Sequence, residues 1–466
     1  MQGISYTIKT VAILSCLTLS GVTNVFANSF SRAWVTVERT GKISQSITRT
    51  WKDSPLYPEL IAKSTEKRLG SISAQNLEKL IQQYPDSAAI ANLRWKKLFR
   101  LGRANWHKDF LFLYRPTDNV KLNCYKLEAK FRLKKDTDKD HREALRLWTH
   151  GKSQPKDCDT LFSIIQKREL ITKEVRLRRI NNALENRQLQ LARWLAKSLD
   201  KSATDHINAW AQARRRPAKF LTTRAGEFPE WVDMAASRLA SKNPDKLLSL
   251  IKDRKIPDSV RQQAILGTAR TMAINLDPAA APLLRMDLPS NPILDHWRVR
   301  FFIHFQEWPD VLMAISKLSP EERGEIEWNY WVSRALAMTG NPDLAFGGFR
   351  KAAESSSWYG FLSADYLGIP YDLHPKSERP SVFSIDTVDQ RIDITIARLL
   401  FEEGLTVMAR RQWDFVIGRL TEEEQKAAAI LANRWNWHSR SAVTAHQSGL
   451  TDDYELRYPN AFETPL

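Results

Sequence analysis

The side chains in this sequence that could act on a substrate are few and scattered. Its one Glu-Ser pair is Glu354-Ser355, in AAESSSWYGF. Breaking a glycosidic bond with a carboxylic acid requires that acid to stay protonated in an apolar pocket, so that it can donate to the leaving oxygen. Glu354 is followed by three serines at what reads as a helix corner, where solvent should keep it ionised. It is therefore not expected to be a catalytic acid, and no catalytic residue is assigned. The 9 histidines form no His-x-x-x-His pair with an intervening Glu, so a metal site is not expected. Gly151-Lys152-Ser153 lacks the upstream glycine of a phosphate-cradling loop and reads as a turn between helices. No cofactor is expected.

Binding chemistry has more support. Among the 16 tryptophans, Trp194, Trp328 and Trp331 sit at helical spacing among Leu and Ala and read as core. Trp358 and Tyr359 at a corner, and Trp435 and Trp437 in NRWNWHSR, are the candidates for stacking on a sugar face, with core packing as the competing reading. Lys and Arg total 70 against 53 Asp and Glu, a formal charge of +17. Basic runs occur at Arg94-Trp95-Lys96-Lys97, Arg176–Arg179 and Arg214-Arg215-Arg216. They read first as solvated helix faces and second as contacts to a carboxylate-rich glycan. Interleaved aromatics also suit nucleic acid, but an exported protein does not meet it.

Export is read from the first 27 residues. Lys9 precedes the short apolar run Val11–Val22, and Val25-Phe26-Ala27 has the small-x-Ala pattern of a signal-peptide cleavage site. The run is too short to anchor in a bilayer. A lipid anchor at Cys16 fits poorly, because Leu14-Ser15 precedes it and few apolar residues lie ahead. Cleavage after Ala27 removes one of the 3 cysteines and leaves Cys124 and Cys158. In an oxidising compartment these two either pair or stay as buried thiols. The basic balance points to an anionic partner: murein peptide carboxylates, anionic lipid or an acidic protein face.

The elements that position these residues should all be helices. Gly is scarce at 17 residues, about half the usual ~7%, and hairpins with Asn-Gly or Asp-Gly turns are lacking. Leu77, Leu80, Ile81 and Tyr84 share a helix face that Pro85 ends. Leu184, Leu191, Trp194, Leu195 and Leu199 repeat the pattern. Asn243-Pro244, Asp277-Pro278 and Asn341-Pro342 read as caps followed by proline at the first helical position. Tyr330–Ala353 reads as two antiparallel helices joined by Thr339-Gly340-Asn341, in the manner of a tetratricopeptide hairpin. Such hairpins bury their apolar faces by stacking. The expected fold is all-α: an irregular superhelical solenoid of helix hairpins, as a ring or horseshoe, followed by a small helical linker domain. The expected divisions are a signal peptide at 1–27, a solenoid at 28–368, a proline-rich linker at 369–384, a small helical module at 385–450 and a connecting segment at 451–466. The module's helices are expected at Thr387–Glu403, Val407–Arg419, Glu422–Asn433 and from Ser439.

Four stretches carry a family resemblance: SPLYPEL (Ser54–Leu60), LWTHGKSQPKDCDTLF (Leu147–Phe162), SSWYGFLSADYLGIPYDL (Ser356–Leu373) and LTDDYELRYPNAF (Leu450–Phe462). In this order they resemble the soluble lytic murein transglycosylases of Gram-negative bacteria. The resemblance implies a superhelical domain and a linker domain closing into a ring that carries a lysozyme-like catalytic domain. The family's enzymes cleave between N-acetylmuramic acid and N-acetylglucosamine, leaving a 1,6-anhydro product. The resemblance maps the family's superhelical-domain disulfide onto Cys124 and Cys158. It also places Glu354, just ahead of the Trp-Tyr-Gly-Phe block, in the family's non-catalytic region.

The family's catalytic signatures, Gly-Leu-Met-Gln and Ala-Tyr-Asn-Ala-Gly, do not occur in the sequence. The expectation is a periplasmic, peptidoglycan-associated, monomeric protein that does not cut by itself. Its partner would be glycan strands or another cell-wall protein, with neither nucleic acid nor a membrane span involved. Two alternatives stand beside it: a truncated or frameshifted lytic transglycosylase, and an interaction solenoid with no glycan affinity.

Overall fold

The computed structural model describes residues 30–373 and 377–459. The signal segment, its cleavage site, Cys16 and the stretch from Asn460 onward lie outside them. The described residues form helices joined by turns, with no strand among them, as an all-α superhelical solenoid requires. They fall into two compact units. One comprises the described parts of Met1–Ala144, Pro155–Arg168 and Pro375–Leu466; the other comprises those of Leu145–Gln154 and Glu169–His374.

The first unit is built from both ends of the sequence. Phe30, Trp51 and Leu60 share a core with Ile394, Leu400, Trp413 and Leu431. A second core joins Leu77, Ile90, Leu101, Phe110 and Leu122. Capping chemistry sets the helix starts: Ser73 and Ser87 accept from Asn76 and Ile90 N–H at 3.1 and 3.3 Å. The C-terminal helices run Val382–Asp389, Ile392–Glu402, Thr406–Ile417, Glu422–Arg434 and His438–Gln447. The single helix expected from Thr387 is thus two. The backbone at Arg391 is extended, and its guanidinium donates to Asp393 at 3.1 and 3.0 Å, which starts a new helix at Ile392. The proline-rich segment is tied down by Arg379, which donates to both carboxyl oxygens of buried Asp453 at 2.6 and 2.9 Å.

Cys124, on helix Val120–Arg132, and Cys158, closing a single 3₁₀ turn, are both fully buried in this unit and placed as a disulfide with Cα atoms 5.0 Å apart. They lie 34 positions apart in sequence; closing such a loop in the unfolded chain is worth about 3–4 kcal/mol in the entropic account.

The second unit is a run of short helices in which each packs on its sequence neighbours, so apolar faces are buried by stacking. The hairpin Ile326–Met338 and Pro342–Ala353 turns through Gly340 at φ 83°. Asn243 and Asp277 cap as expected, accepting from Lys246 and Ala279 N–H at 3.0 Å each. Asn341 does not: its side-chain amide donates back to the Thr339 carbonyl at 3.2 Å. Trp194 is 61% exposed rather than core. On helix Leu189–Ala196 the buried stripe is Ala192, Leu195 and Ala196, and Trp194 falls on the opposite side of the turn.

Candidate functional site

Three helix stripes in the first unit line an open-sided cavity of about 510 Å³. Helix Tyr57–Lys67 contributes Glu59, Ala62, Lys63 and Glu66; helix Ala88–Arg103 contributes Ala89, Asn92, Leu93 and Lys96. Both sets have the i, i+3, i+4, i+7 spacing of one helix face. Helix Thr406–Ile417 adds Met408 and Arg411 after the left-handed turn at Gly404, and Trp34 forms a wall.

Glu59 is the unusual member. It is 4% exposed and accepts from Ser87 Oγ at 3.2 Å. Burial pushes its carboxyl up to about 7, against the lowering effects of the Ser87 hydrogen bond and of Arg411. Around it stand three cations. Lys63 Nζ lies 4.5 Å from the centre of the Trp34 ring and 2.7 Å from Glu38, and Lys96 is bonded to Glu66. Burial raises the Glu66 carboxyl too, but Lys96, then Lys63 and Arg411, hold it below its ordinary value.

Glu59 therefore has one property of a general acid, a proton retained near neutrality. Cleaving a glycosidic bond also builds positive charge on the sugar; Arg411 would oppose that charge, whereas Lys63 and Lys96 are paired with Glu38 and Glu66.

The retained proton has a measurable consequence. A carboxyl whose folded value exceeds its unfolded 4.5 contributes fully below pH 4.5, and that contribution is lost as pH rises through about 7. Glu59→Gln, which mimics the protonated acid, should gain on the order of 2–3 kcal/mol over the parent at pH 8 and nothing at pH 4. Urea unfolding at the two pH values checks this, and an equal difference at both would refute it.

The residues expected from the sequence are dispersed. Trp358 is 71% exposed. Tyr359 is half-buried, with its hydroxyl donating to Glu327 at 3.3 Å and its ring 5.5 Å from Tyr330. Trp435 is half-buried, edge-on to Trp413. Trp437 is corrected from a surface candidate to core: it is 5% exposed and stacks on Phe401 at 4.5 Å, because it precedes a helix whose first turn folds onto Trp413. Glu354 is exposed at the C-cap of helix Pro342–Ala353. Gly151-Lys152-Ser153 lies at a bend between helical elements. Among the described residues no group of three His, Cys, Asp or Glu is placed to hold a metal ion, and no helix is long and apolar enough to cross a membrane.

Comparison with known proteins adds an independent line. Residues 387–453 match the family model "Soluble lytic murein transglycosylase L domain". The soluble lytic murein transglycosylase of Salmonella typhimurium strain LT2 is 23% identical over 426 residues, covering 88% of this chain and 65% of the relative. That of Escherichia coli K12 is 23% identical over 427 residues, with the same coverage. This chain thus spans 65% of the length of those relatives. The structure of an inactive mutant of the Pseudomonas aeruginosa lytic transglycosylase superposes with a TM-score of 0.77 at 26% identity, over 92% of this chain and 72% of that one. The 70-kDa soluble lytic transglycosylase of E. coli gives 0.77 at 20% identity, over 95% and 73%. Fold, L-domain match and relatives all point to the soluble lytic murein transglycosylase family.

Proposed function

We propose that these residues bind murein in the periplasm without cutting it, as a monomer that enters through a cleaved signal peptide, with the Cys124–Cys158 pair oxidised. The division proposed is a solenoid at 28–368, a linker at 369–384, a small helical module at 385–450 and a connecting segment from 451. The observation that carries the reading is the L-domain match at residues 387–453, on helices that share a core with the N-terminal segment. The cations around Glu59 support binding over cleavage. Trp358, exposed at a helix start, and Tyr359 beside it remain the proposed sugar contacts; Trp435 keeps a partial exposure that allows the same role.

A second reading draws on the 65% coverage of the relatives: the sequence is the binding portion of a longer enzyme that cleaves N-acetylmuramic acid–N-acetylglucosamine bonds to 1,6-anhydro products. One experiment addresses both. Residues 28–466 are incubated with purified sacculi at low salt, and bound protein and released muropeptides are measured. Retention without anhydro-muropeptide release is expected. No retention would overturn murein binding, and release would show that a cutting site lies within these residues.

A further inference from the structure

A second group of charges, in the second unit, is unused by the reading above. Two adjoining grooves of about 300 and 430 Å³ share Arg187, Arg214 and Arg238. The three come from separate elements: Arg187 from the turn after helix Lys173–Glu185, Arg214 from the end of helix Lys201–Arg215, and Arg238 from helix Val232–Lys242. Arg215 and Lys242 add charge at the rims.

Two of the side chains are held in place, and the third is set by its backbone. Arg238 Nε donates to the Arg214 carbonyl at 2.8 Å. The Arg214 guanidinium stacks 4.9 Å from the centre of the Trp210 ring. The backbone of Arg187 is fixed by a left-handed turn at φ 60°, with Gln188 N–H donating to Ala183 O at 2.7 Å, and its exposed side chain projects from that turn.

What they lack is a counter-ion. Neighbouring arginines of the same unit have one: Arg224 with Asp205 at 2.6 Å, Arg270 with Asp233 at 2.7 Å and Arg285 with Asp310 at 2.6 Å. Among the described residues no carboxylate pairs with Arg187, Arg214 or Arg238. Asp233, the one carboxylate lining the grooves, is taken by Arg270. Partial burial, then Arg238 and Arg187, hold the Arg214 guanidinium below its ordinary value, so the three feel one another. A helix C-terminus attracts cations, which accounts for Arg214 and Arg215 in the last turn of their helix. It does not account for Arg187 and Arg238, which come from elsewhere.

We propose that Arg187, Arg214 and Arg238 form a preorganised site for a ligand bearing two or more carboxylates, supplied in murein by its peptide stems. A planar guanidinium pairs bidentately with a carboxylate, and Arg214 and Arg238, already held by their own contacts, lose little freedom on binding. The carboxylate site follows from geometry alone; its assignment to peptide stems rests on the murein-binding reading.

The test uses residues 28–466, a fluorescein-labelled hexaglutamate peptide read by anisotropy at low salt, and sacculi before and after amidase removal of the stems. Arg187→Gln/Arg238→Gln leaves the Trp210-stacked Arg214 in place. Lys201→Gln/Lys252→Gln, at exposed positions of the same unit, removes equal charge. Thermal melts confirm that both fold. The groove variant should bind hexaglutamate about tenfold more weakly than the parent, and the lysine variant about equally to it. Equal losses in both variants, or none in the groove variant, would overturn the site. Groove-dependent hexaglutamate binding with no retention on sacculi would uphold the site and overturn murein as its source. Groove-dependent retention that survives removal of the stems would overturn the carboxylate assignment.

Discussion

Gln412→Leu should destabilise the protein by about 2–4 kcal/mol, more than any exposed substitution. Gln412 is 1% exposed, on helix Thr406–Ile417. Its Oε1 accepts from the Ala88 N–H at 2.8 Å, and its Nε2 donates to the carbonyls of Asp86 at 2.7 Å and Asp393 at 3.1 Å. One side chain thus satisfies the start of helix Ala88–Arg103 from a position 324 residues further along the chain. Leucine fits the volume but leaves a buried donor and the Asp86 carbonyl without partners, and each such group costs about 1–3 kcal/mol. Ser87, which donates to Glu59, lies between the two residues clamped, so the cavity should loosen as well. Urea unfolding gives the magnitude. An unchanged midpoint would mean that water replaces the amide and that the clamp contributes nothing. Arg419, which donates to the Pro85 carbonyl at 2.9 Å from an exposed setting, supplies the contrast: Arg419→Ala should fall within about 1 kcal/mol of the parent.

What was legible in the sequence was local. Periodicity and caps sufficed for the hairpin around Gly340 and for the starts at Asn243 and Asp277, because the groups concerned lie within four residues of one another. The break at Arg391 is local as well, but its signal is weak: Arg-x-Asp is as compatible with a helix interior as with a start. Trp194 shows the limit of reading size as burial. The residues that face inward on its helix are two alanines and a leucine, and an indole at the wrong angle stays in water.

The candidate sites depend on contacts that no window of sequence contains. Glu59 lies inside the SPLYPEL stretch that carried the family resemblance, yet nothing local marks it as buried. Its environment is completed by Ser87 from one element and Arg411 from another. A usable signal existed in the paired i, i+3, i+4, i+7 faces of Glu59–Glu66 and Ala89–Lys96, where charged and polar residues share with alanine and leucine a face otherwise expected to be apolar. The arginine groove was half visible. Arg214-Arg215-Arg216 was marked as a basic run, but only Arg214 and Arg215 line the groove, and their partners Arg187 and Arg238 are single basic residues that folding brings in. Charge runs report what is adjacent in the chain, whereas an unpaired cluster is a property of the stack.

Gly360→Ala should be the most damaging of the glycine substitutions, and its cause explains why the Trp-Tyr-Gly-Phe block holds a glycine. Gly360 is buried in the first turn of helix Trp358–Leu367, where its N–H donates to the Ser357 cap at 3.2 Å. A Cβ built on it would lie 1.9 Å from the Ser355 carbonyl oxygen and 3.1 Å from that of Ala352. Those atoms are backbone, so relief requires the preceding corner to move, at a cost of about 3 kcal/mol. Gly151, in the Gly-Lys-Ser-Gln-Pro block, has the same constraint: a Cβ would meet the Asn182 carbonyl oxygen at 2.2 Å, where Asn182 already donates to the Thr149 carbonyl at 2.7 Å. Neither glycine has a positive φ, so close approach is the operative reason, not backbone freedom. Gly347 is the internal control. It is exposed in helix Pro342–Ala353 with nothing within 4 Å of the added methyl, and Gly347→Ala should stabilise by about 0.5–1 kcal/mol through helix propensity. Denaturation of the three variants under one set of conditions should therefore give opposite signs, losses at 151 and 360 and a gain at 347. A gain or no change at 360 would show that the corner adjusts freely and that the motif's glycine is kept for another reason.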